Sequence, residues 1–99
     1  MKGRKTIYIG GTKYFIKSVD RIKKPPGLYG KNIRIFGQFR PKSHEIACIR
    51  GLGYQKNVTL VHELLHAITY EFCGNLSEDD INLLSRELVG SLCQLGVIK

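Results

Sequence analysis

Two histidines and a glutamate at fixed spacing carry the strongest chemical signal in this 99-residue chain: His62-Glu63-Leu64-Leu65-His66. Residues four apart on a helix stack one above the other, about 6 Å apart. Two imidazoles so placed can each bring a nitrogen about 2.0–2.1 Å from one zinc ion. Glu63 stands one position round, beside the ligands but not among them. From there it can take a proton from a metal-activated water and pass it to a leaving amine. The neighbours Thr59, Leu60, Val61, Leu64, Leu65, Ala67 and Ile68 are all uncharged, as a buried ligand helix requires. Burying three ionisable groups there without a cation would cost several kcal/mol. His62 and His66 are therefore expected to hold Zn2+, with Glu63 as the general base.

Catalytic zinc sites often add one carboxylate to two histidines and leave a position for water. The acids downstream are Glu71, Glu78, Asp79, Asp80 and Glu87. Glu71 lies on the ligand helix about 140° round from His66 and should face away. Glu87 falls well inside the next helix. Glu78, Asp79 and Asp80 occupy that helix's first turn, where acids also complement the dipole. Glu78 is the expected third ligand, with Asp79 and Asp80 as alternatives. His44 reads as a surface strand residue, and the cysteines as apolar filler.

The elements that must position these groups follow from local pattern. Thr6–Ile9 and Thr12–Val19 read as strands joined by Gly10-Gly11, a hairpin turn signal. Asp20 to Gly30 is a connector holding Lys23-Lys24-Pro25-Pro26-Gly27. Asn32–Phe39 alternates as a third strand ended by Pro41, and His44–Arg50 is a fourth. Asn57 can cap a helix running to about Cys73, with Gly74 as its stop. That helix is apolar nearly all round, so it should be buried. Ser77 begins a second helix with Asp80 in a capping-box variant. Its expected buried stripe is Ile81, Leu84, Leu88, Leu92 and Leu95, and Gly96 ends it. Strands first and helices after give an α+β class: a small, twisted, mostly antiparallel sheet followed by the ligand helix and a C-terminal helix.

Length sets one domain over residues 1–99, with a basic β-rich part (1–56) and a helical metal-binding part (57–99). Residues 1–56 hold 14 Lys or Arg against 2 acids, +12, and residues 57–99 hold 2 against 6, −4, which gives the net +8. The basic part could attract nucleic acid or an acidic partner. The bland reading is a lysine-blunted sheet beside an acidic helical half. No apolar run is long enough to span a membrane. Met1-Lys2-Gly3-Arg4-Lys5 has charge but no apolar stretch behind it, so no cleaved leader is expected. Cys48, Cys73 and Cys93 are odd in number and widely spaced, which fits thiols in a reducing cytoplasm.

Thr59-Leu60-Val61-His62-Glu63-Leu64-Leu65-His66-Ala67-Ile68 resembles the active-site helix of the zincin metallopeptidases. Leu76-Ser77-Glu78-Asp79-Asp80-Ile81-Asn82 resembles the glutamate helix of gluzincins, with Ile81 where those families usually carry Ala. In style the chain is similar to small phage- and prophage-encoded HExxH proteins, to ImmA/IrrE-like metallopeptidases and to minimal gluzincins. The likeness covers residues 44–99. It implies a zinc peptidase acting on a peptide or protein, in the host cytoplasm if phage-encoded. It also implies that Ile46, Ala47 and Cys48, with Ile49, form an edge strand on which an extended substrate pairs. Such families offer a His or Tyr to the reacting carbonyl; Tyr54, Tyr70 and His44 are available. The alternative is a non-catalytic metal-containing module whose basic half binds nucleic acid or an acidic host protein.

Overall fold

The computed structural model describes residues 4–22, 36–51 and 53–98. β1 (Arg4–Ile9) and β2 (Thr12–Val19) form an antiparallel hairpin. Its turn is Gly10-Gly11, with φ of 57° and 83°. Two consecutive left-handed residues match the twist of the strands, and a Cβ resists that backbone. β3 (Gly37–Arg40) pairs antiparallel with β4 (Glu45–Ile49), and β4 pairs parallel with β2. The sheet order is β1-β2-β4-β3. α1 (Tyr54–Glu71) packs on one face of the sheet, and α2 (Glu78–Gln94) packs on α1. The class is α+β, with a mixed sheet in which two of three pairings are antiparallel. Among the described residues, no helix is long and apolar enough to cross a membrane.

The core lies between the sheet and α1. Ile7, Ile9, Tyr14, Ile16, Phe39, Ile46 and Cys48 point inward and meet Leu60, Leu64 and Ala67. Period-two alternation puts these strand residues on one face. The connector around Lys23–Gly27 and the Asn32–Ile35 part of the expected third strand lie outside the described residues.

The strand carrying Ile46, Ala47 and Cys48 is not an edge. β4 is hydrogen-bonded to β2 on one side and β3 on the other, and these three residues are buried. A run of Ile-Ala-Cys-Ile with no polar alternation suits an interior strand. Among the described residues, β3 is paired only to β4, so the edge beside α1 belongs to Gly37–Arg40.

Helix boundaries shift by a few residues. α1 starts at Tyr54 after Gly53, so Asn57 lies inside its first turns and is not the cap. At the other end Cys73, not Gly74, takes the left-handed conformation (φ 53°), and the Gly74 N–H donates to the Thr69 carbonyl at 2.8 Å. A Cβ on Gly74 would lie 3.2 Å from the Thr69 side chain, so the glycine serves close approach there. The Ser77–Asp80 capping box is present, with both reciprocal hydrogen bonds made, at 3.1 and 3.2 Å. Gly96 (φ 77°) closes α2, with Gly96 N–H on the Cys93 carbonyl and Val97 N–H on that of Leu92.

The buried stripe of α2 is Ile81, Ser85 and Val89. Leu84, Leu88 and Leu95, expected inside, are exposed. Ser85 is the reason: a small residue lets α2 approach α1 closely, and its hydroxyl is satisfied by the Asn82 carbonyl at 3.1 Å. α1 is likewise not covered all round, since Ile68 and Phe72 are exposed. One sheet face and one helix cannot enclose a whole helical circumference.

Glu71 sits in the last turn of α1, the end the dipole disfavours for an acid. It faces the sheet, where its carboxylate accepts hydrogen bonds from Thr12 Oγ1 (2.8 Å) and Tyr14 Oη (2.5 Å). Those two donors hold its carboxyl below the usual range, and Tyr14, buried, is pushed up. A lowered folded-state pKa stabilises the fold above the unfolded value and loses that contribution as pH falls through the folded one. Glu71→Gln should therefore be less stable than wild type in urea at pH 7. The gap should close as pH drops below about 4. A gap that stays constant to pH 3 would mean that the carboxylate charge is not what clamps α1 to β2.

Candidate metal centre

The helical period brings the two histidines together as their spacing predicts. His62 and His66 are half-buried on the α1 face toward α2, with ring centroids 4.9 Å apart and Nε2 atoms 3.2 Å apart. Glu78, the first residue of α2, places Oε1 2.7 Å from His62 Nε2 and 3.2 Å from His66 Nε2. Among the described residues, His62, His66 and Glu78 are the set of side chains grouped closely enough to hold a metal ion. Asp79 and Asp80 do not join it: Asp79 is exposed, and Asp80 is engaged with Ser77 in the cap.

The donor set fits a zinc ion. Bonds of about 2.0–2.1 Å in a tetrahedral site separate the ligand atoms by about 3.3 Å. The observed separations of 3.2, 3.2 and 2.7 Å outline one face of such a tetrahedron. One ion about 2 Å from all three donors is geometrically allowed, and the fourth corner has no protein ligand in this set. Two imidazole nitrogens facing each other beside a carboxylate oxygen also form the electrostatic arrangement that a cation satisfies. Burial, opposed by the Glu78 charge, keeps the His62 imidazole below its ordinary pKa and so favours the neutral, ligating form. The Asn82 side chain, one turn after Glu78, acts on His62 in the opposite direction to burial. Sequence reading gives Asn82 no role beyond the outline match, although its four-residue offset from Glu78 places both on one face of α2.

Glu63, one residue on from His62, lies under β3 beside Gly37. It is 7% exposed. Burial pushes its carboxyl up to about 7, the Glu78 charge adds to that rise, and the Phe39 backbone N–H donates to it and opposes the rise. Gly37 is what lets β3 lie this close. A Cβ there would stand 2.6 Å from Thr59 Cγ2 and 3.0 Å from Glu63 Cγ. Behind Glu63 on β4, burial pushes the Cys48 thiol up to about 11, with the Glu63 charge contributing. Cys48 is thus an inert, protonated part of the core.

The remaining candidates scatter. His44 precedes β4 with φ 53° and lies against the Tyr14 ring at 5.2 Å. Tyr70 is 56% exposed, its ring edge on Phe39 at 5.6 Å. The side chain of Tyr54 lies outside the described residues. Glu87 is exposed on α2, and Cys73 is exposed beyond α1. No protein-family model, curated protein or solved structure matches this chain.

Two outcomes test this geometry. Zinc added to metal-free protein at a hundred times its Kd should stabilise the fold by about 2.7 kcal/mol, read as a thermal shift that EDTA reverses. Glu78→Ala should weaken zinc binding at least tenfold and Asp79→Ala should not. Asp80→Ala should lose about 0.5–2 kcal/mol of stability with the cap and weaken zinc binding less than Glu78→Ala does. Separately, Gly37→Ala should cost about 1–3 kcal/mol by overpacking against Thr59 and Glu63, a drop in Tm of at least about 4 °C.

Proposed function

We propose that this chain is a zinc-dependent metallopeptidase. The observation that carries the reading is the convergence of His62 Nε2, His66 Nε2 and Glu78 Oε1 within 3.2 Å of one another, with Glu63 adjacent on the same helix. Zinc bound there would supply a Lewis acid for a carbonyl oxygen and acidity for a water molecule. His62, His66 and Glu78 would hold it.

Glu63 has the role of general base and then acid. Its carboxylate would take one proton from the attacking water and deliver that proton to the amine as the peptide C–N bond breaks. The Phe39 N–H and the β3 backbone keep Glu63 in one orientation beside the ligand helix. A purely structural metal site has no use for such a carboxylate, and this favours an enzyme over a non-catalytic metal module. Among the described residues β3 is paired only to β4, and its place next to Glu63 supports an extended peptide as substrate. The thiols of Cys48, Cys73 and Cys93 form no disulfide, which supports a reducing compartment such as the cytoplasm.

The test is a peptide-library digest of zinc-loaded wild type and Glu63→Gln, paired with metal analysis of both. Wild type should cleave. Glu63→Gln should retain about one zinc per chain and lose at least a hundredfold in rate, the lower range for a general base. Equal zinc content with no cleavage by either protein would leave the metal site standing and remove the peptidase.

A further inference from the structure

Tyr70 stands on the same face of α1 as the residues of the candidate centre. It follows His66 by four positions and Glu63 by seven, so the helical period lines the three up. The rise along the axis puts it about 6 Å beyond His66 and about 10 Å beyond Glu63. Neither metal binding nor the proposed proton transfer uses it, yet it is 56% exposed. Phe72, the C-cap of α1, is also exposed but has a different place. It lies about 240° round from His66, with its ring against Gly10, where a Cβ would meet it at 2.9 Å.

The Tyr70 ring is supported from one side. Its edge meets the Phe39 ring at a centroid distance of 5.6 Å and an interplanar angle of 66°. Phe39 in turn packs against the core, with the Tyr14 ring at 6.1 Å. The contact holds Tyr70 in place and leaves more than half of it open. β3 relates this pair to Glu63. Gly37 lies against Thr59 and Glu63, and two residues on Phe39 lies against Tyr70. β3 therefore runs alongside α1 from the level of the general base to the level of the ring.

The inference that follows rests on the peptidase reading. An extended peptide advances about 3.3 Å per residue and turns alternate side chains to one side. With its scissile carbonyl at the centre, the side chain two residues away arrives about 6–7 Å along, at the level of Tyr70. We propose that Tyr70, backed by Phe39, is a specificity-determining residue that accepts an aromatic side chain of the substrate at that position. A second ring can stack on Tyr70 or meet its edge, which adds to the gain from burying apolar surface.

Fluorescein-labelled peptides of Ala and Gly carrying one central Phe, Arg or Ala test it by anisotropy. The protein is zinc-loaded Glu63→Gln, which holds a peptide without turning it over. The Phe peptide should bind about tenfold tighter than the Ala peptide. Tyr70→Ala in that background should bring the ratio near one, and Tyr70→Leu, which keeps apolar cover on Phe39, should lower it too. Tyr70→Phe should keep it, because the ring and not the hydroxyl makes the contact. The proposal is overturned if the Phe and Ala peptides bind alike, if neither binds at millimolar concentration, or if the Arg peptide matches the Phe peptide, since a cation over the ring needs no aromatic partner. It is also overturned if Tyr70→Leu, folded by circular dichroism, keeps the full ratio, or if Tyr70→Phe loses it. Cleavage by wild type with no aromatic preference two residues from the cut would remove this subsite and leave the peptidase standing. A Phe preference set by Tyr70 in a protein that never cleaves would remove the peptidase and leave an aromatic-peptide site.

Discussion

Three donor atoms from two helices meet within 3.2 Å of one another, and that meeting depends on how closely α2 can lie against α1. Helix axes packed through large side chains stay about 10 Å apart, and small residues at the contact bring them nearer. Ser85 is the small residue here, buried between Ile81 and Val89 with its hydroxyl turned back onto its own helix. The capping box does the complementary job along the axis. Ser77 and Asp80 fix where α2 begins, and so fix Glu78 as its first residue, aimed at the imidazoles. An acid in that position also meets the positive end of the helix dipole, so its electrostatic setting is favourable before any cation is present.

The sheet also constrains the ligand-bearing face of α1. Glu63 is held by the Phe39 N–H under an edge strand that only a glycine at position 37 lets approach. The last turn of α1 is held by Thr12 and Tyr14 through Glu71. The ligand helix is thus fastened at its middle by β3 and at its end by β2, and its rotation about its own axis is set by both. Rotation matters because His62 and Glu63 are about 100° apart on the helix. A turn that favoured one would misplace the other.

Much of this was readable from residue order. The Gly10-Gly11 hairpin, the Ser77 cap, the Gly96 stop, the α+β order and the pairing of His62 with His66 all rest on interactions within a few residues. Backbone geometry and helical period govern those without reference to the rest of the chain. Glu78 was legible as the first choice among three adjacent acids, with Asp79 and Asp80 as alternatives. Setting the alternatives aside takes the angle at which α2 meets α1, which is a property of packing.

The departures share that cause. Leucines at helical spacing named a stripe on α2, but helix contact followed Ile81, Ser85 and Val89, because close packing rewards shape and not hydrophobicity alone. The Ile46–Cys48 strand looked like an edge by resemblance. Its insertion between β2 and β3 is a pairing choice between segments far apart in the chain, which no local pattern encodes. The sequence by itself determined which groups can do chemistry and that two of them share one helix face. The tertiary structure decided which carboxylate joins them and which strand lies beside Glu63, because each of those depends on contacts between distant segments.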